Sequence, residues 1–187
     1  MSEMIDLAVG EGKSAMEKAI SHLKDELTKV RTGKASTSIV KDLRVDYYGT
    51  PTPLSQVANL GTPDSRTISI QAWEKSLLPT IEQAIFAANL GLTPMNDGEF
   101  IRISIPPLTE ERRKEMVKKA KALGEEAKVS LRNERQKIMQ IIKSEVKDGF
   151  PEDAGKKSEG QVEGVVKGYV DTIGKLVDAK EMDIMKV

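Results

Sequence analysis

The chain has 187 residues, 29 basic and 29 acidic side chains and no cysteine, which excludes structural disulfides, thiolate metal sites and a cysteine nucleophile. No run approaches the ~18 apolar residues of a membrane-spanning helix, and the mixed, acidic start MSEMIDLAVGEGKSAMEK is neither a secretory signal nor a transit peptide, so a soluble cytoplasmic protein without membrane attachment is expected. Charged residues at 31% beside aromatics at 4% point to long solvated helices around an aliphatic core.

In chain order, Met16, Ile20, Leu23, Leu27 and Val30 step by four or three, predicting an amphipathic helix over about 3–30, with Gly33 as its terminator. From 39 to 107 the texture changes. LRVDYYG, RTISIQAW and EFIRISI alternate or run β-branched and read as strands. Between them LLPTIEQAIFAANLG has a helical apolar pattern closed by Gly91, while DYYGTPTPL and TPMNDGEF read as turn-rich connections. After Pro106 and Pro107 a second long helix opens, with Thr109 as N-cap and Glu110 and Glu111 suited to the positive end of the helix dipole. Its stripe is Met116, Ala120, Leu123, Ala127, Leu131, Ile138, Ile142 and Val146, interrupted only by Gly124, and DGFPED stops it after about 40 residues, or about 60 Å. A third helix is predicted over about 158–185 with Val162, Val165, Tyr169, Ile173, Leu176 and Ile184 inward. Gly160, Gly164 and Gly168 recur within it, each about 1 kcal/mol worse than alanine. Either packing holds that helix, or the glycines admit a neighbouring backbone.

Three long helices with one apolar stripe each bury those stripes against one another. The expected fold is therefore α+β: a three-helix bundle from 1–30 and 108–187, with a small α/β domain, 31–107, inserted after the first helix. Two linkers, near 31–38 and 105–108, join them and permit rotation about one line.

Candidate chemistry is sparse. GEGKS at 10–14 ends like a nucleotide-binding loop, but Leu7 stands where the motif needs its first glycine, and the stretch is helical rather than following a strand. His22 is the single histidine, and the carboxylates alternate with lysines and arginines instead of clustering as a metal or acid–base site does. Tyr47 and Tyr48 point to alternate faces of a strand, so at least one packs. No catalytic residue, metal site or cofactor site is predicted.

The zero net charge hides one basic segment: residues 108–150 carry 12 cations against 8 anions, a net of +4. Lys114, Lys118, Lys121, Lys128, Arg132 and Arg135 step by 4, 3, 7, 4 and 3, which draws one cationic line along about 30 Å of helix with Glu125 its single interruption. A solvated helix usually mixes signs on each face, and a guanidinium fork grips phosphate in a way an ammonium does not. The line suits the backbone of folded RNA read by shape. The helix offers no aromatics to stack on unpaired bases. Two rival readings are an adaptor binding protein helices through its apolar stripes and a nucleotide-dependent enzyme built on GEGKS.

Several longer stretches are specific: VRTGKAS at 30–36, VDYYGTPTPLSQVA at 45–58, DSRTISI at 64–70, NLGLTP at 89–94, PPLTEERRK at 106–114 and LRNERQ at 131–136. In their order and spacing the chain resembles the bacterial ribosome recycling factor family over essentially its full length. The resemblance implies an L-shaped monomer with a three-helix bundle as one arm and a hinged β/α/β domain as the other. It also implies a protein that is not an enzyme and needs no cofactor. The implied partners are the ribosome, through large-subunit ribosomal RNA, and elongation factor G with GTP, which together split the post-termination ribosome; neither DNA nor membrane is among them. Carried over by position, the RNA-contacting arginine falls on Arg132, with Asn133 and Arg135 in the same motif and Lys128 at a basic position; Lys121, Lys118 and Lys114 continue the line. Arg31, Thr32 and Gly33 fall in the first linker, Pro106 and Pro107 in the second. The chain departs from the family pattern at Gln136, where a second basic residue is expected, at Val166-Lys167 in place of a Thr-Asp pair, and in the glycines of the third helix.

Overall fold

The computed structural model describes residues 2–186. Helix α1, Glu3–Lys29, buries Ile5, Ala8, Gly12, Met16, Ile20, Leu23 and Leu27 on one side, with Glu3 and Asp6 in its first turn. The helix ends earlier than Gly33. Val30 is already extended, at φ −73 and ψ 121, and its side chain stays in the core. Gly33 serves the linker instead: its φ is +76, and a Cβ there would sit 3.3 Å from both the Cγ and the backbone nitrogen of Leu108.

The middle of the chain folds into six strands and one helix. Strands β1, Arg44–Tyr47, and β2, Thr50–Pro53, form an antiparallel hairpin. Its turn is Tyr48 and Gly49, both at positive φ, and Asp46 Oδ1 accepts the Gly49 N–H at 2.8 Å. Strands β3, Ala58–Asp64, β4, Thr67–Ala72, β5, Pro94–Asn96, and β6, Ile101–Ser104, make a second, wholly antiparallel sheet in the order β3-β4-β6-β5. Helix α2, Leu78–Ala87, lies in the β4–β5 connection and buries Leu78, Ile81 and Ile85. Together with Ile68, Ile70, Ile101 and Ile103, each fully buried, they form one core. The stretches read as connections thus contain β2 and β5. Proline cannot donate to a ladder, which masks a strand written TPTP, yet an edge or two-stranded pairing tolerates it.

Helix α3, Glu110–Lys147, is capped by Thr109, whose Oγ1 accepts the Arg112 N–H at 3.3 Å. Helix α4, Glu152–Met185, starts six residues before the predicted point, with Glu152 and Asp153 in its first turn. Its inward line runs Gly155, Ser158, Val162, Val166, Ile173, Val177 and Ile184, so Val166 and Val177 take the central places expected of Val165 and Leu176. With half-buried Tyr169 and Lys180 the steps read 3-4-4 repeatedly, an 11-residue period.

The stripes of α1, α3 and α4 share a single aliphatic core. Gly160, Gly164 and Gly168 do not meet it: they are exposed, and a Cβ on any of them would find, beyond the adjoining backbone of its own helix, no atom within 4 Å. Close approach occurs instead at Gly124, where a Cβ would lie 2.6 Å from Val177 Cγ2, and at Gly155, 2.5 Å from Val146 Cγ2.

The chain divides into two compact units, residues up to Val30 with those from Arg113 onward, and Arg31–Arg112. The second crossing lies five residues after position 108, so the first residues of α3 belong to the α/β unit. Among the described residues no helix is long and apolar enough to cross a membrane.

Candidate nucleic-acid interface

Helix α3 is fixed in its roll by Ala120, Ala127, Leu131, Ile138 and Ile142, all at most 6% exposed. That anchoring sends the predicted cations outward along one side. Lys114, Lys118, Lys121 and Arg132 are exposed, and Lys128 and Arg135 are half-buried. Asn133 is exposed beside Arg132. It borders a shallow depression formed by α3 alone, with Ser130, Glu134, Gln136, Lys137 and Gln140.

The electrostatics differ from the single-signed line drawn from α3 by itself. Arg135 donates from Nε at 3.0 Å, and from Nη2, to Oε1 of Glu163 on α4. Lys121 Nζ lies 3.5 Å from Glu181 Oε1, also on α4, and Lys128 Nζ 3.3 Å from Glu125 Oε1 within α3. The hydrogen bond from Arg135 holds the Glu163 carboxyl below the usual carboxylate range, and Glu163 in turn raises the guanidinium. Arg132 and Lys118 take part in no ion pair among the described residues. Glu163 and Glu181 escaped the sequence reading because they come from another helix. Their spacing of 18 residues, five full turns, was the available signal.

The linker residues lie apart from this face in sequence. Arg31 Nη2 donates to the Leu90 carbonyl at 2.5 Å, beyond the end of α2. Ala35 N–H donates to the Ser65 carbonyl at 2.8 Å and Ile105 N–H to the Arg66 carbonyl at 2.7 Å, so one β3–β4 turn anchors both linkers. Thr32 and Gly33 precede that anchor on the first linker, and exposed Pro106 and Pro107 follow it on the second.

Elsewhere, GEGKS lies inside unbroken α1, with no loop to wrap a phosphate, and His22 is exposed. In the α/β unit Tyr47 and Tyr48 donate to the two oxygens of Glu74, at 3.2 and 2.9 Å, with their rings 4.7 Å apart edge to face. Accepting both hydroxyls, the Glu74 carboxylate holds the two phenols above the ordinary tyrosine range. Neighbouring Trp73 donates Nε1 to Asn59 Oδ1 at 3.1 Å. Tyr48 is 79% exposed and Trp73 63%, two hydrogen-bonded surface rings that no sequence motif announced.

A bundle of long helices with a cationic strip on one of them, and an α/β unit inserted after the first, defines an α+β factor organised around surfaces rather than a pocket. A family model for "Ribosome recycling factor" matches residues 23–185. The chain is 50% identical over 183 residues to the ribosome-recycling factor of Christiangramia forsetii, covering 98% of each chain, and 46% identical over 187 residues to that of Flavobacterium psychrophilum, covering all of both. Among solved structures it superposes on a solution structure of the ribosome recycling factor with a TM-score of 0.84, 37% identity and full coverage of both chains. A second match has a TM-score of 0.68 and 35% identity over 97% of this chain and 99% of the other. It is described as "Models for the T. thermophilus ribosome recycling factor and the E. coli elongation factor G bound to the E. coli post-termination complex". The chain belongs to the ribosome recycling factor family.

Proposed function

We propose that this protein binds the post-termination ribosome in the cytoplasm and, with elongation factor G and GTP, drives it apart into subunits and off the messenger RNA. The bundle, 1–30 with 108–187, rests its α3 face on large-subunit ribosomal RNA. Arg132 is the anchor, with Asn133, Arg135, Lys128, Lys121, Lys118 and Lys114 along the same line. The observation that carries this reading is Arg132 itself: an exposed guanidinium with no ion pair among the described residues, on a helix whose roll the core fixes. Its fork is presented outward with no carboxylate competing for it among the described residues, which favours phosphate contact. No step of bond making is assigned to the chain; it works by binding and leverage.

The inserted domain, 31–107, is the lever, turning about the linkers at Arg31, Thr32, Gly33, Pro106 and Pro107. Three features support a hinge there: the shared anchor on the β3–β4 turn, the contact of Gly33 with Leu108, and two prolines that lack the N–H needed to join a ladder or helix.

Binding of labelled protein to isolated large ribosomal subunits across a salt series tests the RNA face. Arg132→Ala is expected to lose about 1–3 kcal/mol of binding. Affinity of the unmodified protein should fall steeply with salt, as neutralising ~4–6 phosphates requires. A flat salt response would contradict the reading.

A further inference from the structure

On the α3 face Lys121, Lys128 and Arg135 are already held by carboxylates of the same chain. Two of those carboxylates, Glu163 and Glu181, stand five turns apart on one edge of α4, alongside the face. None of these pairs is enclosed: side-chain exposure is 42% and 50% for Arg135 and Glu163, 59% and 35% for Lys121 and Glu181. Pairs so exposed contribute little to folding, because water screens them and two flexible side chains must be held still. A phosphate presents the same guanidinium with several charged acceptors and releases counterions as it binds.

We propose that Glu163, assisted by Glu181, is a displaceable internal acceptor that sets the strength of polyanion binding. In the free protein Glu163 occupies the Nε–Nη2 edge of Arg135 and Glu181 draws Lys121, leaving Arg132 and Lys118 as the cations met first. An incoming phosphate takes over Arg135 and turns the Glu163 side chain back into water. The two carboxylates then border the bound backbone and repel it, so binding is weaker, and release easier, than six unopposed cations would give. A factor that must leave after each round gains from that limit. The inference rests on the reading of α3 as the RNA face, and the opposite role for Glu163, orienting Arg135 for phosphate, has the opposite sign in the same experiment.

The test compares unmodified protein, Arg132→Ala, Glu163→Gln, Arg135→Gln and the Glu163→Gln/Arg135→Gln double variant for binding to isolated large ribosomal subunits across a salt series. Glu163→Gln is expected to bind about three- to tenfold tighter at low salt. The larger part of that gain should be lost in the Arg135→Gln background, whereas a general loss of negative charge would give the same gain there. Unchanged or weaker binding by Glu163→Gln, with Arg132→Ala still impaired, overturns the inference and leaves the RNA face standing. An Arg132→Ala variant that binds like the unmodified protein overturns both.

Discussion

Replacing Gly160, Gly164 and Gly168 together by alanine should stabilise the helix bundle. Each lies in the interior of α4, is exposed, and leaves open space where a Cβ would go. The change therefore adds no clash and removes backbone freedom from the unfolded chain, worth about 0.5–1 kcal/mol per site. The three positions are four residues apart, and methyl groups on neighbouring turns are too short to interfere, so the effects add to about 1.5–3 kcal/mol. For a chain of this length that corresponds to a rise in melting temperature of about 3–12 °C. Thermal melts followed by far-UV circular dichroism, which the three long helices dominate, measure it. A midpoint that is unchanged or lower would refute the reasoning, and would mean that this glycine edge meets a backbone after all.

The sign reverses at Gly124→Val. The new side chain would enter space filled by Val177, a β-branched residue with little rotamer freedom in a helix, and a loss of about 1–3 kcal/mol is expected in the same melts. Gly33→Ala forces an L side chain into a backbone at φ +76 against Leu108. It should impair subunit splitting while leaving binding to large subunits intact, and normal splitting would remove Gly33 from the hinge. Asp97 accepts the N–H groups of Phe100 and Glu99 at 2.8 and 3.0 Å, and these bonds lower its pKa. A carboxyl whose folded pKa is depressed stabilises above its ordinary range and loses that contribution as pH falls through the folded value. The urea midpoint of the α/β unit, read by the fluorescence of the single tryptophan, Trp73, should thus differ between native protein and Asp97→Ala near neutral pH and converge in acid. A gap that persists in acid would refute it.

Periodicity made the long elements legible. In α1 and α3 the apolar steps, the Thr109 cap and the acidic first turns all agreed, and the core formed where the stripes predicted. The β-rich part was harder because its strands are short, paired at edges and rich in Pro and Gly, as in TPTP and ANLGTPD, where local propensity argues against the pairing that tertiary context imposes. The start of α4 hid behind Gly155 and a polar first turn, yet Gly155 is there because Val146 of α3 packs where its side chain would be. In α4 the expected line took Val165 and Leu176 where the buried one takes their immediate neighbours Val166 and Val177, adjacent apolar residues between which spacing alone does not choose. At the site, the positions of the cations along α3 were readable from spacing alone. Their partners Glu163 and Glu181 were not, since ion pairs between helices depend on which faces the core turns toward each other. The same holds for Tyr47, Tyr48 and Glu74, joined by hydrogen bonds across 26 and 27 residues of chain.

As proposed, this chain splits post-termination ribosomes by seating its α3 face on ribosomal RNA. Light scattering of post-termination ribosomes mixed with the protein, elongation factor G and GTP tests it most directly, with Arg132→Ala in parallel. Scattering should fall with the unmodified protein and fall little or not at all with the variant. Equal falls with both would show that Arg132 is not the anchor, and no fall with either, on ribosomes that a known recycling factor does split, would overturn the recycling role.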